Sequence, residues 1–247
     1  MSAPHRIAIL SDLHGNSIAT EAVLADIDRV GVDATSCLGD LVGYGPFPNE
    51  TIDLIRHRDI PTIVGNYDDG VGFDRDDCGC AYKDETERDR GQQSLMWTRA
   101  VVTNERKAYL RSLQSEIRLK VDGIRLRLVH GSPRRMNEYL FEDRGGASLE
   151  RIAVMADCDV LLFGHTHIPW SRTIGGVQMI NTGSVGKPKD GDPRAGWALL
   201  EIGSGPQMSV TMHRVPYDIE TVAMAIREAD GLPDHYARDI EHGGANR

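Results

Sequence analysis

The sequence predicts a single α/β domain over residues 1–247, with no repeat and no linker long enough to separate domains. In the first half, short apolar runs alternate with helix-period segments, as expected for strands joined by crossover helices. The second half contains mostly short strands and hairpin turns, so we expect each half to contribute one sheet. The 247 residues, of which 40% are hydrophobic and 26% charged, can bury a large core without disulfides or a structural metal.

The first half is predicted to begin with a βαβαβ unit and to continue with two helices. The predicted elements are strands over 6–11, 34–38 and 62–64, and helices over 18–30, 50–58, 92–102 and 104–113. Asn16 or Ser17 caps the first helix, and Gly31 follows its last residue, as is typical of helix termini.

A charge-rich segment interrupts this half. Residues 74–90 contain seven acids, four bases, two cysteines and one tyrosine. This composition favours an exposed loop, either a lid over a cleft or a solvated segment. Cys78 and Cys80 could bind a soft metal, but a lone Cys-x-Cys lacks the second pair of ligands of a zinc site. Cys37 and Cys158 border apolar runs and are predicted to be buried thiols.

Hairpins dominate the second half. The clearest two-residue turn is Asp122-Gly123, and Gly175-Gly176 is another. The elements predicted here are helices over 149–155 and 219–229, and strands over 117–121, 124–130, 160–163, 171–174, 177–181, 198–202 and 209–215. Residues 234–247 are polar and charged, and both packing on the domain and self-association into a homo-oligomer remain open.

Charge and hydropathy exclude several classes of partner. Lys and Arg number 28 against 37 Asp and Glu, a net charge of −9, so we expect no nucleic-acid polymer. Apolar runs such as 160–163 fall far short of the roughly 18 residues that a membrane span needs, so we expect no membrane partner. Residues 1–6 carry no apolar targeting core, which predicts a cytoplasmic protein.

Metal-type ligands directly follow five predicted strands. The segments are Asp12-Leu13-His14, Gly39-Asp40, Gly65-Asn66-Tyr67-Asp68, His130-Gly131 and Gly164-His165-Thr166-His167. Ligands collect at the carboxyl ends of strands in open α/β sheets, so these side chains can converge on one site. Each segment alone is weak evidence, but fold requirements alone rarely produce all five together. The sequence therefore predicts a metal site.

The ligand types indicate a pair of ions. Imidazole, carboxylate and amide oxygen without thiolate suit Mn, Fe, Zn, Co or Ni, as two divalent or mixed-valence ions. Seven ligand residues exceed what one ion needs. Two ions about 3.5 to 4 Å apart can share a carboxylate and a hydroxide for in-line attack at phosphorus. This predicts hydrolysis of a small phosphorylated substrate.

The order Asp-x-His, Gly-Asp, Gly-Asn-x-Asp, His and Gly-His-x-His over residues 12–167 resembles the calcineurin-like metallophosphoesterases. Segments 39–46 and 183–188 are similar to those of its compact prokaryotic phosphodiesterase and phosphatase branch. The resemblance implies a four-layer αββα sandwich of two mixed β-sheets flanked by helices. It also implies that a hydroxide bridging the two metals is the nucleophile, so no protein nucleophile is required.

The resemblance also implies roles by position. In the first metal site the ligands would be Asp12, His14 and His167, in the second they would be Asn66, His130 and His165, and Asp40 would bridge both. The implied catalytic residues are Asp40, Asn66, Tyr67, Asp68 and His165.

Tyr67 departs from the family pattern, because most members carry a histidine there that contacts the phosphoryl oxygens or protonates the leaving group. A phenol, with an ordinary pKa of about 10, is a poor proton shuttle near neutral pH. We therefore expect substrates whose leaving group departs with little help, such as aryl phosphates, nucleotide anhydrides and some diesters. The alternative is that Tyr67 only packs over the site.

Tyr44 is a second departure. Protein phosphatases and dinucleoside tetraphosphatases of this superfamily carry at that position an arginine that clamps phosphate, so a eukaryotic-type protein phosphatase is disfavoured. The candidate substrate-binding cations are Arg134, Arg135, Lys187, Lys189 and Arg194, although residues 187–194 could equally form a solvated loop.

Other functions remain open beside hydrolysis of small phosphomonoesters or phosphodiesters. The chain could be a dinucleoside polyphosphate hydrolase or a phosphoprotein hydrolase. It could also be a catalytically weak scaffold that resembles the retromer scaffold subunit, but such a scaffold would be expected to lack metal ligands, and none of the seven is missing. The charge balance opposes a metal-dependent nuclease.

Overall fold

Two mixed β-sheets form the centre of the protein in the computed structural model, which describes residues 3–203 and 208–244. The strands are β1 (His5–Leu10), β2 (Ala34–Cys37), β3 (Glu116–Val121), β4 (Ile124–Val129), β5 (Val160–Phe163), β6 (Trp170–Ile174), β7 (Val177–Asn181), β8 (Ala195–Ile202) and β9 (Met208–Val215). The helices are α1 (Ser17–Val30), α2 (Pro48–His57), α3 (Asn66–Gly72), α4 (Glu85–Val101), α5 (Asn104–Ser112), α6 (Gly146–Ala156), α7 (Ile219–Glu228) and α8 (His235–Glu241). Parts of the predictions for 1–6 and 234–247 lie outside the described residues.

The first sheet has the strand order β2-β1-β8-β9 and the second β3-β4-β5-β7-β6. Strand β1 runs parallel to β2 and antiparallel to β8. The expectation that each half contributes one sheet is wrong, since β8 and β9 of the second half complete the first sheet. Ile7 pairs with Leu200, and Ile9 with Ala198. Such long-range pairing has no signature in the local sequence pattern.

Side chains alternate between the layers. Ile7 and Ile9 pack between the two sheets, whereas Leu10 packs with the helices that cover the first sheet. In β5, Leu162 faces the space between the sheets and Leu161 packs with the core under α6. Period-two alternation in both sheets buries one face against the other sheet and one against helices. The predicted four-layer αββα architecture is confirmed.

Most predicted boundaries agree with the structure to within a few residues. The Asn16 side chain caps α1 by accepting a hydrogen bond from Ala19 N at 3.0 Å. Asp218 caps α7 in the same way. The turns at 122–123 and 175–176 join antiparallel strands, as predicted.

The strand predicted over 62–64 is wrong. Thr62 and Ile63 form only isolated bridges, to Cys37 and Gln114. The run is three residues long and follows Pro61, which has no N–H to donate to a ladder. It extends the edge of β2 without becoming a strand.

The loop predicted over 74–90 is wrong from residue 85, where α4 begins. Asp84 accepts from Glu87 N at 2.8 Å, and the Glu87 carboxylate accepts from Lys83 N at 3.0 Å. This Asp-x-x-Glu cap starts a helix despite the high charge, because its charged side chains stay in water. Helices α3 and α8, each of seven residues, were not predicted, since both are short and α3 contains two glycines.

The C-terminal segment packs on the domain as far as it is described. Tyr236, Ala237 and Ile240 of α8 are buried. Self-association stays a prediction. Among the described residues, no helix combines the length and apolarity needed to cross a bilayer.

Candidate metal centre

Loops at one edge of the two sheets bring all seven predicted metal ligands together. They follow β1, β2, β4 and β5, and Asn66 opens α3. All seven side chains are buried, none with more than 3% of its surface exposed. The ligands come from both sheets, so the centre lies where the two sheets meet.

Five of the ligands have a left-handed backbone. The φ angles are 54° at Asp12, 47° at His14, 53° at Asp40, 66° at His165 and 61° at His167. Non-glycine residues seldom adopt such angles, and each costs on the order of 1–3 kcal/mol unless the surroundings hold it. This concentration of strain in one cluster is typical of a functional site.

Two glycines let the loops approach the ligand carboxylates. A β-carbon on Gly164 would lie 2.4 Å from Asp12 Oδ2, and one on Gly65 would lie 2.1 Å from Asp40 Oδ1. Either distance is a steric clash, so any larger residue would displace a carboxylate. The glycines beside the ligands therefore serve close approach of the backbone.

Asp12, His14 and His167 form the first ligand group, with one ligand atom from each within 4.8 Å of the others. His14 Nε2 lies 3.0 Å from His167 Nε2. Asp12 Oδ1 lies 3.3 Å from His167 Nε2 and 3.7 Å from His14 Nε2. Three ligand atoms at these separations can surround one cation.

Asp40, His130 and His165 form the second group at the same spacing. His130 Nε2 lies 3.4 Å from Asp40 Oδ2 and 3.1 Å from Asn66 Oδ1. Asp40 Oδ2 also lies 3.7 Å from His14 Nε2 in the first group. One carboxylate oxygen thus faces both groups, which is the position of a bridging ligand.

Backbone carbonyls fix the tautomer of three ligand histidines. The Nδ1 atoms of His14, His130 and His167 donate to the carbonyl oxygens of Val42, Leu38 and Lys187 at 3.0, 2.7 and 2.6 Å. Because a carbonyl only accepts, Nδ1 carries the proton. Each Nε2 is therefore directed into the centre, as metal-binding histidines require.

The two carboxylates each have one oxygen held by the protein. Asp12 Oδ2 accepts from Ser11 Oγ at 2.6 Å and from His165 N at 3.0 Å, and Asp40 Oδ1 accepts from Tyr67 N at 2.8 Å. Asp12 Oδ1 and His165 Nε2 are buried with no hydrogen-bond partner among the described residues. An unpaired buried polar atom costs about 1–3 kcal/mol. These atoms fit the role of metal ligands.

Burial and neighbouring charge set the ionisation of the centre. Burial raises the pKa of Asp12, but the attraction of the neighbouring imidazoles, that of His167 foremost, outweighs it and holds that pKa well below its usual value. Burial lowers the pKa of His165 to about 3, which keeps its ring neutral. Burial also opposes a proton on His130, but Asp40 outweighs it and raises the pKa of His130 to about 10. A cation bound by both residues would displace that proton.

Asp68, a predicted catalytic residue, joins two ligand loops. Its Oδ1 accepts from Leu41 N at 2.9 Å and its Oδ2 from Gly65 N at 3.0 Å. Burial and the charge of Asp40 raise the pKa of Asp68 to about 7. Both carboxylate oxygens are engaged with backbone, so the contacts of Asp68 are those of a positioning residue.

Tyr67 is buried against the centre, with 1% of its surface exposed. Its ring centroid lies 5.6 Å from that of His14 and 4.6 Å from that of Tyr44. Its hydroxyl has no hydrogen-bond partner among the described residues. Burial raises the pKa of Tyr67 well above 10, so the phenol keeps its proton. These contacts favour the packing alternative over proton transfer.

A cleft of about 610 Å³ lies beside the centre. Thr166, between two ligands, lines it, as does Tyr139, whose ring centroid is 4.2 Å from that of His165. Its aromatic walls are Tyr44, Tyr82, Tyr139, Phe141 and Tyr236, and its cations are Lys83, Arg90, Lys187 and Lys189. Such a lining suits a small anion that carries an apolar or aromatic group.

Lys187 and Lys189 are the predicted substrate-binding cations that line this cleft. Lys187 Nζ lies 2.8 Å from Asp239 Oδ2 and 5.0 Å from the centroid of the Tyr44 ring. Burial lowers the pKa of Lys189 to about 8. The loop at 187–189 is therefore part of the cleft wall.

The structure does not bring Arg134, Arg135 or Arg194 to the cleft wall. Arg134 Nε lies 3.0 Å from Glu138 Oε2, and Arg194 Nε lies 3.0 Å from Asp192 Oδ1. Carboxylates two to four residues away engage the guanidinium groups of Arg134 and Arg194. Counting cations along the chain could not detect these local pairs.

Two segments of uncertain role also line the cleft. Residues 80–83, with Glu87 and Arg90 of α4, form part of its wall, which favours the lid alternative for this region. Helix α8 contributes His235, Tyr236 and Asp239. This wall was not predicted from the sequence, where its one signal is the helical spacing of Tyr236 and Ile240.

Comparisons with known proteins agree with this geometry. The calcineurin-like phosphoesterase superfamily domain matches residues 6–205. The uncharacterized protein MJ0912 of Methanocaldococcus jannaschii is 33% identical over 232 residues, which cover 87% of this chain and 88% of that protein. Phosphodiesterase YfcE of Escherichia coli is 26% identical over 214 residues, which cover 79% and 87%. The crystal structure of a metallophosphoesterase from Sphaerobacter thermophilus has 33% identity and a TM-score of 0.78, over 97% and 99% of the two chains.

Proposed function

Since this chain belongs to the calcineurin-like phosphoesterase superfamily, we propose that it is a dimetal hydrolase of small phosphomonoesters or phosphodiesters. The observation that carries the proposal is the position of Asp40. Its Oδ2 lies 3.4 Å from His130 Nε2 and 3.7 Å from His14 Nε2, between two buried ligand groups. A carboxylate shared by two cations is the core of a site for in-line attack at phosphorus.

Each side chain of the centre has a defined part. One ion would be held by Asp12, His14 and His167, the other by Asn66, His130 and His165, and both by Asp40. Bound divalent ions supply Lewis acidity and lower the pKa of water from 15.7 towards about 7. The protein orients the imidazoles of His14, His130 and His167 through backbone carbonyls. It also holds the ligand loops together through Asp68.

The cleft supports a small substrate. Lys189 places positive charge in its wall, where the charge of Lys187 is balanced by Asp239, although the whole chain carries −9. Attraction of an anion would therefore be local to the cleft. The aromatic walls favour an aryl or nucleoside group on the phosphate.

Two observations support substrates with good leaving groups. Tyr67 stands where a histidine could protonate the leaving group, and its hydroxyl is buried and keeps its proton. The similarity to phosphodiesterase YfcE supports diesters as one such class. We propose aryl phosphodiesters and nucleotide anhydrides as the substrates to test first.

Turnover of a chromogenic phosphodiester and monoester with added Mn²⁺ tests the proposal. We expect hydrolysis that requires metal and two ions per chain by elemental analysis. Asp40→Asn should lower turnover at least about a hundredfold, the loss typical of removing one preorganised electrostatic group. Glu220→Gln, a change at an exposed carboxylate on α7, is the matched control. If no phosphoester is hydrolysed in a metal-dependent way, the alternative of a catalytically weak scaffold would be favoured.

A further inference from the structure

Cys78, Gly79 and Cys80 form a tight turn that brings two thiols together. The two Sγ atoms lie 3.2 Å apart and both cysteines are free thiols. Gly79 has a φ of 70°, a left-handed angle that favours glycine at the centre of the turn. Asn137 Nδ2 donates to the Gly79 carbonyl at 2.9 Å, which fixes the turn against the segment after β4. The dithiol is therefore held in place by both its own backbone and a neighbouring segment.

This dithiol turn contacts the predicted metal ligand Asn66. Asn66 Nδ2 donates to the Cys78 carbonyl at 3.1 Å and to Cys80 Sγ at 3.3 Å. The other end of the amide, Oδ1, lies 3.1 Å from His130 Nε2. Because an amide carries its donors and its acceptor on different atoms, acceptors behind Nδ2 direct Oδ1 into the centre. The dithiol turn thus orients a ligand of the second group.

A small molecule in the cleft can reach the dithiol through Cys80. Cys80 lines the cleft, whereas Cys78 is only 7% exposed. The remaining cysteines, Cys37 and Cys158, are buried and are not cleft residues. Among the described cysteines, only those of the 78–80 turn place a pair of thiols at the cleft wall.

We propose that Cys78 and Cys80 are a modification site, which a peroxide oxidises to an intramolecular disulfide that weakens metal binding through Asn66. The second half of this inference rests on the proposed function, and the first half does not. One sulfur attacks the peroxide O–O bond, which gives a sulfenic acid and one water. The second sulfur attacks the sulfenic sulfur, the S–S bond forms, and another water leaves. The two thiols lose two electrons and two protons, and the peroxide is reduced to two waters.

The geometry favours this closure over a sulfenic acid that persists. The sulfur atoms must approach from 3.2 Å to about 2.04 Å, the length of a disulfide. The movement draws Cys80 Sγ towards Cys78 and removes the thiol that Asn66 Nδ2 now contacts. The amide then loses an acceptor that fixes its orientation, and the second ligand group loses affinity for its cation.

Hydrogen peroxide treatment of the full chain, followed by tryptic peptide mass analysis, tests the first half. Cleavage after Arg75 and Lys83 isolates residues 76–83, which contain both thiols and no other cysteine. We expect this peptide to lose two hydrogen masses and to regain them with dithiothreitol, while Cys37 and Cys158 remain open to alkylation in the unfolded protein. Cys78→Ser should abolish the change and Cys158→Ser should leave it intact.

Calorimetric titration with Mn²⁺ tests the second half on reduced and oxidised wild-type protein. We expect one of two binding events to weaken by about tenfold on oxidation, the size expected when a hydrogen bond that orients a metal ligand is lost. Cys78→Ser should bind Mn²⁺ equally before and after peroxide.

Each contrary result refutes a different part of the proposal. If residues 76–83 keep both thiols while another cysteine is oxidised, the modification site is refuted. If the disulfide forms and both Mn²⁺ affinities stay unchanged, the link to Asn66 is refuted. If reduced protein binds no Mn²⁺, the proposed function and the link to Asn66 fall together, whereas the peptide mass still decides the disulfide.

Discussion

His14 Nε2 and His167 Nε2 face each other 3.0 Å apart at the end of β1 and β5. Both rings donate their Nδ1 protons to backbone carbonyls, so in both rings it is Nε2 that faces the centre. Asp12 Oδ1, 3.3 Å from His167 Nε2, adds a carboxylate oxygen to the same point. Three acceptors at these distances repel one another unless a cation or a proton lies between them.

Metal binding is therefore expected to stabilise the fold. At a concentration about 100 times the dissociation constant, binding adds about 2.7 kcal/mol to the free energy of unfolding. For a chain of this size that raises the melting temperature by about 5–10 °C. Thermal unfolding after exhaustive chelation and after return of Mn²⁺ measures the shift. His167→Ala should show a smaller shift and Glu220→Gln an unchanged one; equal shifts in all three proteins would place the ions elsewhere.

Removal of the Tyr67 hydroxyl should be nearly neutral. Since the hydroxyl is buried without a partner among the described residues, Tyr67→Phe should leave the free energy of unfolding unchanged or raise it by up to about 1 kcal/mol. Turnover of an aryl phosphodiester should stay within about twofold of wild type, and an alkyl diester should be far slower in both proteins. Urea unfolding and initial rates measure these quantities. A selective fall in the alkyl rate on mutation would show that the phenol assists the leaving group.

Asp68→Asn should weaken metal binding without altering a predicted metal ligand. An amide cannot accept from both Leu41 N and Gly65 N, so one buried N–H loses its partner. We expect the free energy of unfolding to fall by about 1–3 kcal/mol, and Mn²⁺ affinity to fall with it. Urea unfolding and calorimetry provide the two readouts. Unchanged metal affinity in a destabilised protein would limit Asp68 to a structural role.

Lys189→Gln should affect substrate binding more than the chemical step. Lys189 lines the cleft and its ammonium is desolvated, since burial lowers its pKa to about 8. Loss of one charge-assisted hydrogen bond to phosphate, about 1.5–3 kcal/mol, should raise KM at least about tenfold with a smaller change in kcat. Steady-state kinetics on the aryl diester measure both. Lys120→Gln, at an exposed position on β3, is the control, and an equal effect there would assign the loss to net charge.

Glu138 should stabilise the segment after β4 in a pH-dependent way. Burial opposes its charge, but hydrogen bonds from Arg134 and Ser132 lower the pKa of Glu138 from 4.5 to about 2. Because the folded pKa is the lower one, this stability is complete above pH 4.5 and disappears as the pH falls towards 2. Glu138→Gln should lower the free energy of unfolding by about 1–2 kcal/mol at pH 7 and by less at pH 3. Urea unfolding in chelator measures this, and a difference independent of pH would contradict the assignment.

Local chemistry made the elements and the ligand types predictable. Alternating apolar residues marked the strands, and Asn16 and Asp218 marked helix starts, because period and capping depend on neighbours along the chain. Glycine beside His14, Asp40, Asn66, His130 and His165 marked tight loops after strands. These signals predicted an α/β domain and the metal-type residues that the structure gathers in one cluster. The four-layer class followed from the resemblance of the motifs to the calcineurin-like family.

Pairing across the fold was not predictable in the same way. The sequence does not show that β8 pairs with β1, or that α8 walls the cleft, since both depend on where a distant segment returns. Arg134 and Arg194 were predicted to bind substrate, whereas the folded chain pairs each with a carboxylate two to four residues away, a contact that depends on the loop conformation.

The sequence by itself determined which residues could hold metal, because ligand chemistry is a property of side-chain type and strand ends meet at one edge. Only the tertiary structure decided which oxygen of Asp40 faces both ligand groups, which histidine nitrogens are free, and that the thiols at 78 and 80 lie against Asn66. Orientation of a side chain is set by hydrogen bonds to residues far away in sequence, and those partners exist only once the two sheets have packed.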